Sequence, residues 1–140
     1  MKTWMLYAIV SMVFAGLTSV IAKFGMKNVS GDAGLAIRTS MVFGLVWINA
    51  IAFRHIQQLG NLTRNDILFL CASGITTTLS WIFYYRAMKI GEVSVIASID
   101  KASVVITILL SFLFLKEPLT PKLLVGASLI VLGMLVLVWK

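Results

Sequence analysis

Residues 93–115 read VSVIASIDKASVVITILLSFLFL. As a helix rising 1.5 Å per residue, this stretch crosses a hydrocarbon layer of about 30 Å. Asp100 and Lys101 lie inside it. Its fourteen Leu, Ile, Val and Phe residues favour insertion by roughly 4–8 kcal/mol, whereas a central Asp and Lys oppose it by about 5–7 kcal/mol together. Insertion is therefore close to balanced in isolation. The two charges become tolerable when neighbouring helices or a wet cavity receive them. Charge inside a membrane is costly and usually has a job.

Four more apolar runs surround this one, at residues 4–22, 35–53, 67–88 and 119–139. Together the five fill the 140-residue chain, of which 60% is hydrophobic and 12% charged. Mean hydropathy is +1.01. A chain this short cannot bury so much apolar surface in one globular core, so lipid is part of its solvent. Alternating β patterns are absent, and backbone in lipid must satisfy its own hydrogen bonds. The expected fold is all-α: a polytopic membrane protein with a single domain over residues 1–140, built as a five-transmembrane-helix bundle. The connections are short, so successive helices run antiparallel. Only the Arg54–Asn65 stretch reads as a loop.

Local punctuation supports these limits. Asn65-Asp66 suits a helix start, with negative charge at the N-terminus. Thr120-Pro121 suits the N-cap and first turn of the last helix. Gly91-Glu92 and Lys116-Glu117-Pro118 bound the charged span. Trp4, Tyr7, Phe53, Tyr84, Tyr85 and Trp139 lie near span ends, as an interfacial aromatic belt would. Lys2 and Val20-Ile21-Ala22 resemble the flanks of a signal peptide, but the run between them exceeds a usual h-region of about 7–15 residues. Small residues recur at helical spacing: Ser11, Ala15, Ser19 and Ala22, then Ser40 and Gly44, then Gly126 and Gly133. These stripes read as helix contacts.

Chemistry-bearing residues are few. Single Cys71 excludes an intrachain disulfide, and single His55 sits beside Arg54 in the loop. There is no glycine-rich phosphate loop, no HExxH and no Ser/His/Asp set, so no enzyme activity and no cofactor or metal is expected. The net charge of +7 is spread singly along the chain, which suits lipid headgroups and not nucleic acid. The remaining signal is the embedded charge. Calling the N-terminal side of the membrane side A, Lys23, Arg38, Arg86, Asp100 and Lys101 all fall in the half nearer side B. Trp81, Tyr84 and Tyr85 come down at the same depth. Asp100, Ser103, Thr107 and Ser111 share one helix face, while Lys101 points about 100° from Asp100. Two interpretations stand: a polar half-cavity, basic on balance, or a structural ion-pair cluster in which the end charges snorkel.

The order Tyr85-Arg86-Ala87-Met88-Lys89-Ile90-Gly91, then Leu115-Lys116-Glu117-Pro118-Leu119-Thr120, then Gly126-Ala127-Ser128-Leu129-Ile130-Val131-Leu132-Gly133 resembles an EamA-type repeat of the drug/metabolite transporter superfamily. The likeness is good from about Ser80 to the end, and weaker but compatible in Trp4–Lys23 and around Arg38. Most of that family carries ten helices in two inverted repeats around a central cavity; this chain looks like one repeat alone, as in the five-helix branch. Longer members often have a proline about a dozen residues before the Glu that corresponds to Glu117. Here Ser103-Val104 occupies that region, with Asp100-Lys101 a turn earlier. Four-helix small multidrug exporters rely on a carboxylate in the first helix, and this first span has none.

The resemblance implies a secondary active transporter, an exporter of a small metabolite or drug-like solute, in the cytoplasmic (inner) membrane of a prokaryote. The partners it implies are lipid, a small-molecule substrate and a second repeat. Asp100 is the candidate for proton coupling; Arg38 and Lys101 would set charge preference, with Lys23, Arg86, Trp81, Tyr85, Ser103 and Thr107 completing the lining. The alternatives are a non-transporting membrane scaffold and a lipid-carrier translocase subunit. Orientation has no charge bias to follow. Outside Arg38 and Lys101, side A carries Lys2, Arg54, Arg64, Lys116 and Lys122, and side B carries Lys23, Lys27, Arg86, Lys89 and Lys140. This balance predicts dual insertion and an antiparallel homodimer, against a parallel homodimer or a heterodimer with a related chain.

Overall fold

The computed structural model describes residues 2–139. Met1 and Lys140, the latter one of the side-B cations counted above, lie outside the described residues. Among these residues the regular secondary structure is all helix, without strands. Helix α1 spans Thr3–Gly25, α2 Gly31–Ala52 and α3 Arg64–Ile90. The charged span is not one regular helix. It comprises α4, Val93–Lys101, then α5, Ser103–Leu110, then a π-helical turn, Ser111–Leu115. Helix α6 covers Pro121–Val138. By length and composition five helical segments can cross a membrane, at 3–25, 31–52, 64–90, 93–115 and 121–138.

The helix ends follow from side-chain chemistry more than from hydropathy. Helix α2 begins four residues before its apolar run because Ser30 caps it. The Ser30 hydroxyl accepts from the Ala33 N–H at 3.1 Å, and Asp32 lies in the first turn. Helix α3 begins at Arg64 and not after Asp66, because Thr63 is the cap. The Thr63 N–H donates to Asp66 Oδ2 at 2.9 Å, and the Asp66 N–H donates back to Thr63 Oγ1 at 3.3 Å. This reciprocal box satisfies two donors that a helix start leaves orphaned. At α6 Thr120 caps as expected, accepting from the Leu123 N–H, with Pro121 at the first position. The link between α2 and α3 contains a 3₁₀ helix, His55–Asn61. Two helix ends close through left-handed residues, Arg54 and Lys116, both at φ 56°. Glycine usually takes that position.

The chain divides into two compact units, residues 21–90 and residues 1–20 with 91–140. Within 21–90, α2 packs against α3. The buried side chains of the described chain gather there: Met26, Leu35, Tyr85 and Met88, at 2%, 7%, 3% and 0% exposure. Tyr85 is thus a core residue and not a member of the interfacial belt, whereas Trp4, Tyr7, Phe53 and Trp139 are exposed, as the belt requires. Gly31 explains the close approach. A Cβ at Gly31 would stand 2.7 Å from the Tyr85 carbonyl oxygen. Backbone cannot swing aside as a side chain can, so only glycine lets the start of α2 rest on α3.

In the second unit α4 and α5 pack against α6. Apolar grooves of about 430 and 360 Å³ run along α5 and α6, lined by residues such as Val105, Ile108, Leu124 and Val131 on one side and Val104, Leu123 and Ile130 on the other. Exposed leucine side chains occur in every span, as lipid solvation allows.

Candidate functional site

The charges of residues 21–90 are built upward from the α2 start. Asp32, placed in the first turn by the Ser30 cap, receives Arg86 from the last turns of α3. The Arg86 Nε donates to Asp32 Oδ1 at 2.9 Å and Nη2 to Oδ2 at 3.0 Å, a bidentate fork. Both side chains remain more than half exposed. Arg86 therefore joins two helices.

Lys23 and Lys89 make a second joint. Lys23 Nζ, near the end of α1, donates to the Met88 carbonyl and, at 3.4 Å, to the Lys89 carbonyl. Lys89 Nζ, near the end of α3, donates to the carbonyls of Met26 at 2.7 Å and Lys27 at 3.1 Å. Helix C-termini carry partial negative charge and unpaired carbonyls. Here each helix supplies the cation that quiets the other, so α1 and α3 end in a reciprocal lysine clasp. Lys27 lies over the Phe24 ring at 5.6 Å.

Arg38 is placed differently. It lies seven residues into α2, about 10 Å along the axis. Its guanidinium carbon stands 4.3 Å from the centre of the Trp81 indole and 5.6 Å from that of the Tyr85 ring. A guanidinium over an aromatic face gains about 0.5–2 kcal/mol while its edge N–H groups stay available. Among the described residues no carboxylate pairs with Arg38. The Tyr85 hydroxyl is buried and has no hydrogen-bond partner.

In the second unit Asp100 and Lys101 close α4. Their side chains meet at 3.6 Å, although a 100° step had set them on different faces. The regular α-helix ends at Lys101, and the two side chains come within ion-pair distance there. Ala102 interrupts the span: its N–H donates to the Ile99 carbonyl and its own carbonyl accepts from the Val105 N–H, both i,i+3 bonds at 3.0 Å. Such 3₁₀ tightening inside a long helix often marks a hinge. The Thr107 hydroxyl bonds back to the Ser103 carbonyl at 3.1 Å, so part of the polar stripe is satisfied within its own helix.

Of the residues singled out from sequence, the structure brings Arg38, Trp81 and Tyr85 together, engages Lys23 and Arg86 in helix joints, and pairs Asp100 with Lys101. Gly31, Asp32 and Lys89 carry equal weight in these contacts and were missed as site residues. The run Ser30-Gly31-Asp32 held the signal: a cap, a residue without a side chain, and an acid in the first turn.

A protein from Sinorhizobium sp., described as an uncharacterized transporter in the cobO 3' region, is 33% identical over 136 residues, covering 97% of this chain and 96% of that protein. No solved structure matches the chain. The model of the EamA-like transporter family matches residues 2–139. Five apolar helices, charge set within the spans and a match over nearly the whole chain agree: this membrane protein belongs to the EamA-like transporter family.

Proposed function

We propose that the protein is a secondary active exporter of a small metabolite or drug-like solute, working as a dimer in which two five-helix repeats enclose one pathway. The observation that supports this best is the interruption of the fourth span at Ala102, immediately after Asp100 and Lys101. Transporters commonly build their sites from discontinuous helices within the bilayer, where half-helix ends meet substrate or coupling ion. Asp100 serves as the proton-coupling carboxylate. Lys101 and Arg38 set the charge preference. Ser103 and Thr107 line the path, while Lys23 and Arg86 hold helix ends of residues 21–90 in register. Dimerisation supplies the second repeat. With cations balanced between the two membrane sides, one gene product supplies both orientations.

The test is flux in proteoliposomes under an imposed pH gradient, across a metabolite and drug panel. Asp100→Asn keeps the side-chain volume and should abolish gradient-driven flux while leaving the protein folded. Single cysteines at Ser103 and Thr107, in a Cys71→Ala background, should react with a small polar thiol reagent, whereas one at Leu109 should not. Gradient-driven flux that survives Asp100→Asn removes the coupling role. Absence of flux across the panel, with all three cysteines silent, favours a scaffold. For topology, a cytoplasm-active and an exterior-active reporter are fused to the C-terminus in turn. Comparable activity supports dual insertion, and a single orientation excludes the antiparallel homodimer.

A further inference from the structure

We propose that Arg38 and Tyr85 form a docking point for one oxyanion, a carboxylate or phosphate group, with Trp81 as the platform that holds the guanidinium. This rests on the transport reading for its purpose but not for its measurement. Three observations converge. The guanidinium uses its face on Trp81 at 4.3 Å, which leaves the forked edge, the part that matches carboxylate and phosphate geometry, uncommitted. Arg86 supplies the contrast on the neighbouring helix: its fork is filled by Asp32 at 2.9 and 3.0 Å. Arg38 has no such carboxylate among the described residues.

The second donor is Tyr85. Its side chain is buried, with the residue at 3% exposure, and its hydroxyl has no partner. An orphaned buried hydroxyl destabilises the state that contains it, and buried polar groups are rarely left so without a role. Donation to a bound oxyanion satisfies it. The third observation is position. Arg38 lies within a span, where an uncompensated cation is costly; an anion neutralises it. The aromatic faces of Trp81 and Tyr85 are already turned to a cation, so this site rejects ammonium groups. The oxyanion belongs either to a water-soluble solute or to a lipid headgroup.

The experiment uses the full chain in phosphatidylcholine nanodiscs with Trp4, Trp47 and Trp139 changed to Phe, so that Trp81 is the sole indole reporter. Benzoate, inorganic phosphate and choline are titrated in solution, and phosphatidate is titrated by composition of the disc. A saturable change in Trp81 emission with an anion, and none with choline, is expected. A response to benzoate or phosphate assigns a soluble solute; a response confined to phosphatidate assigns a lipid. Arg38→Gln should weaken binding by about tenfold or more, and Arg38→Lys, which keeps charge but loses the fork, by less. Tyr85→Phe should weaken binding about three- to tenfold while the melting temperature holds or rises, because the orphan hydroxyl is gone. That opposition of sign separates a ligand donor from a structural tyrosine. Anions that leave Trp81 unchanged, or Arg38→Gln and Tyr85→Phe proteins that bind as the parent does, overturn the proposal. An anion bound through Arg38 by a protein that moves no solute overturns the transport reading instead and leaves this site standing.

Discussion

Residues 21–90 and residues 91–138 are both mostly helical, and the spans of the second are the more apolar, yet the two stretches hold themselves together by different means. The first stretch has a buried core of Met26, Leu35, Tyr85 and Met88, a glycine contact at Gly31, a bidentate Arg86–Asp32 pair and a lysine clasp. The second has packing of α4 and α5 on α6, hydroxyls bonded within their own helices, and open apolar grooves. In lipid no hydrophobic force drives helices together, so close packing and polar joints must do it. The first stretch is supplied with both. The second, which bears the stronger family motifs, leaves apolar surface for lipid or another repeat to cover.

The largest test of this contrast pairs two glycines. Gly31→Val forces a Cβ against the Tyr85 carbonyl and should destabilise by about 3 kcal/mol. A Cβ at Gly126 meets nothing within 4 Å, and Gly126→Val should change stability by less than about 0.5 kcal/mol. Unfolding in detergent followed by circular dichroism measures both. A large loss at Gly126 would reveal a packed α6 and erase the contrast.

A second pair compares methionine with leucine. Met88→Ala empties a fully buried position and should cost about 2 kcal/mol. Leu129→Ala, on an exposed face, should cost less than about 0.5 kcal/mol in the same assay.

The clasp comes next. Lys23→Met and Lys89→Met should each cost about 1–2 kcal/mol, since each strands carbonyls at a helix end. The double variant should cost less than the sum, because both lysines close one joint. Strict additivity would show two independent contacts.

The smallest effect has the opposite sign and should not differ between the stretches. Arg54→Gly and Lys116→Gly relieve left-handed backbone at φ 56°, and each should raise stability by about 1 kcal/mol. A gain at only one of them would mean that the other side chain holds a contact of its own.

Five helices and their order were legible in the chain, because apolar runs of span length admit few other readings. Thr120-Pro121 announced its helix start for the same local reason. Thr63 did not, since its value lies in the reciprocal bond with Asp66, and a residue pair is harder to see than a run. The break at Ala102 left no mark either: alanine is a good helix former, and nothing in Lys101-Ala102-Ser103 disfavours a continuous helix. Of the candidate site, the depth of Arg38, Trp81 and Tyr85 was readable from helix arithmetic. Their convergence was not, because it depends on the rotation of α2 against α3, which the side-chain-free Gly31 permits. Lys23 read as an end charge that could snorkel and Lys89 only as one of the side-B cations, since a bond to backbone carbonyls has no sequence signature.

The lysine clasp also orders events in time. Its hydrogen bonds join residues 62–66 positions apart, with all of α2 between them. At synthesis rates of about 5–20 residues per second, α1 waits roughly 3–13 seconds for the residues its lysine will meet. Through that interval Lys23 and the carbonyls of Met26 and Lys27 face headgroups and water. Helix α1 therefore enters the membrane as a provisional guest, and its seat is fixed only when the end of α3 arrives.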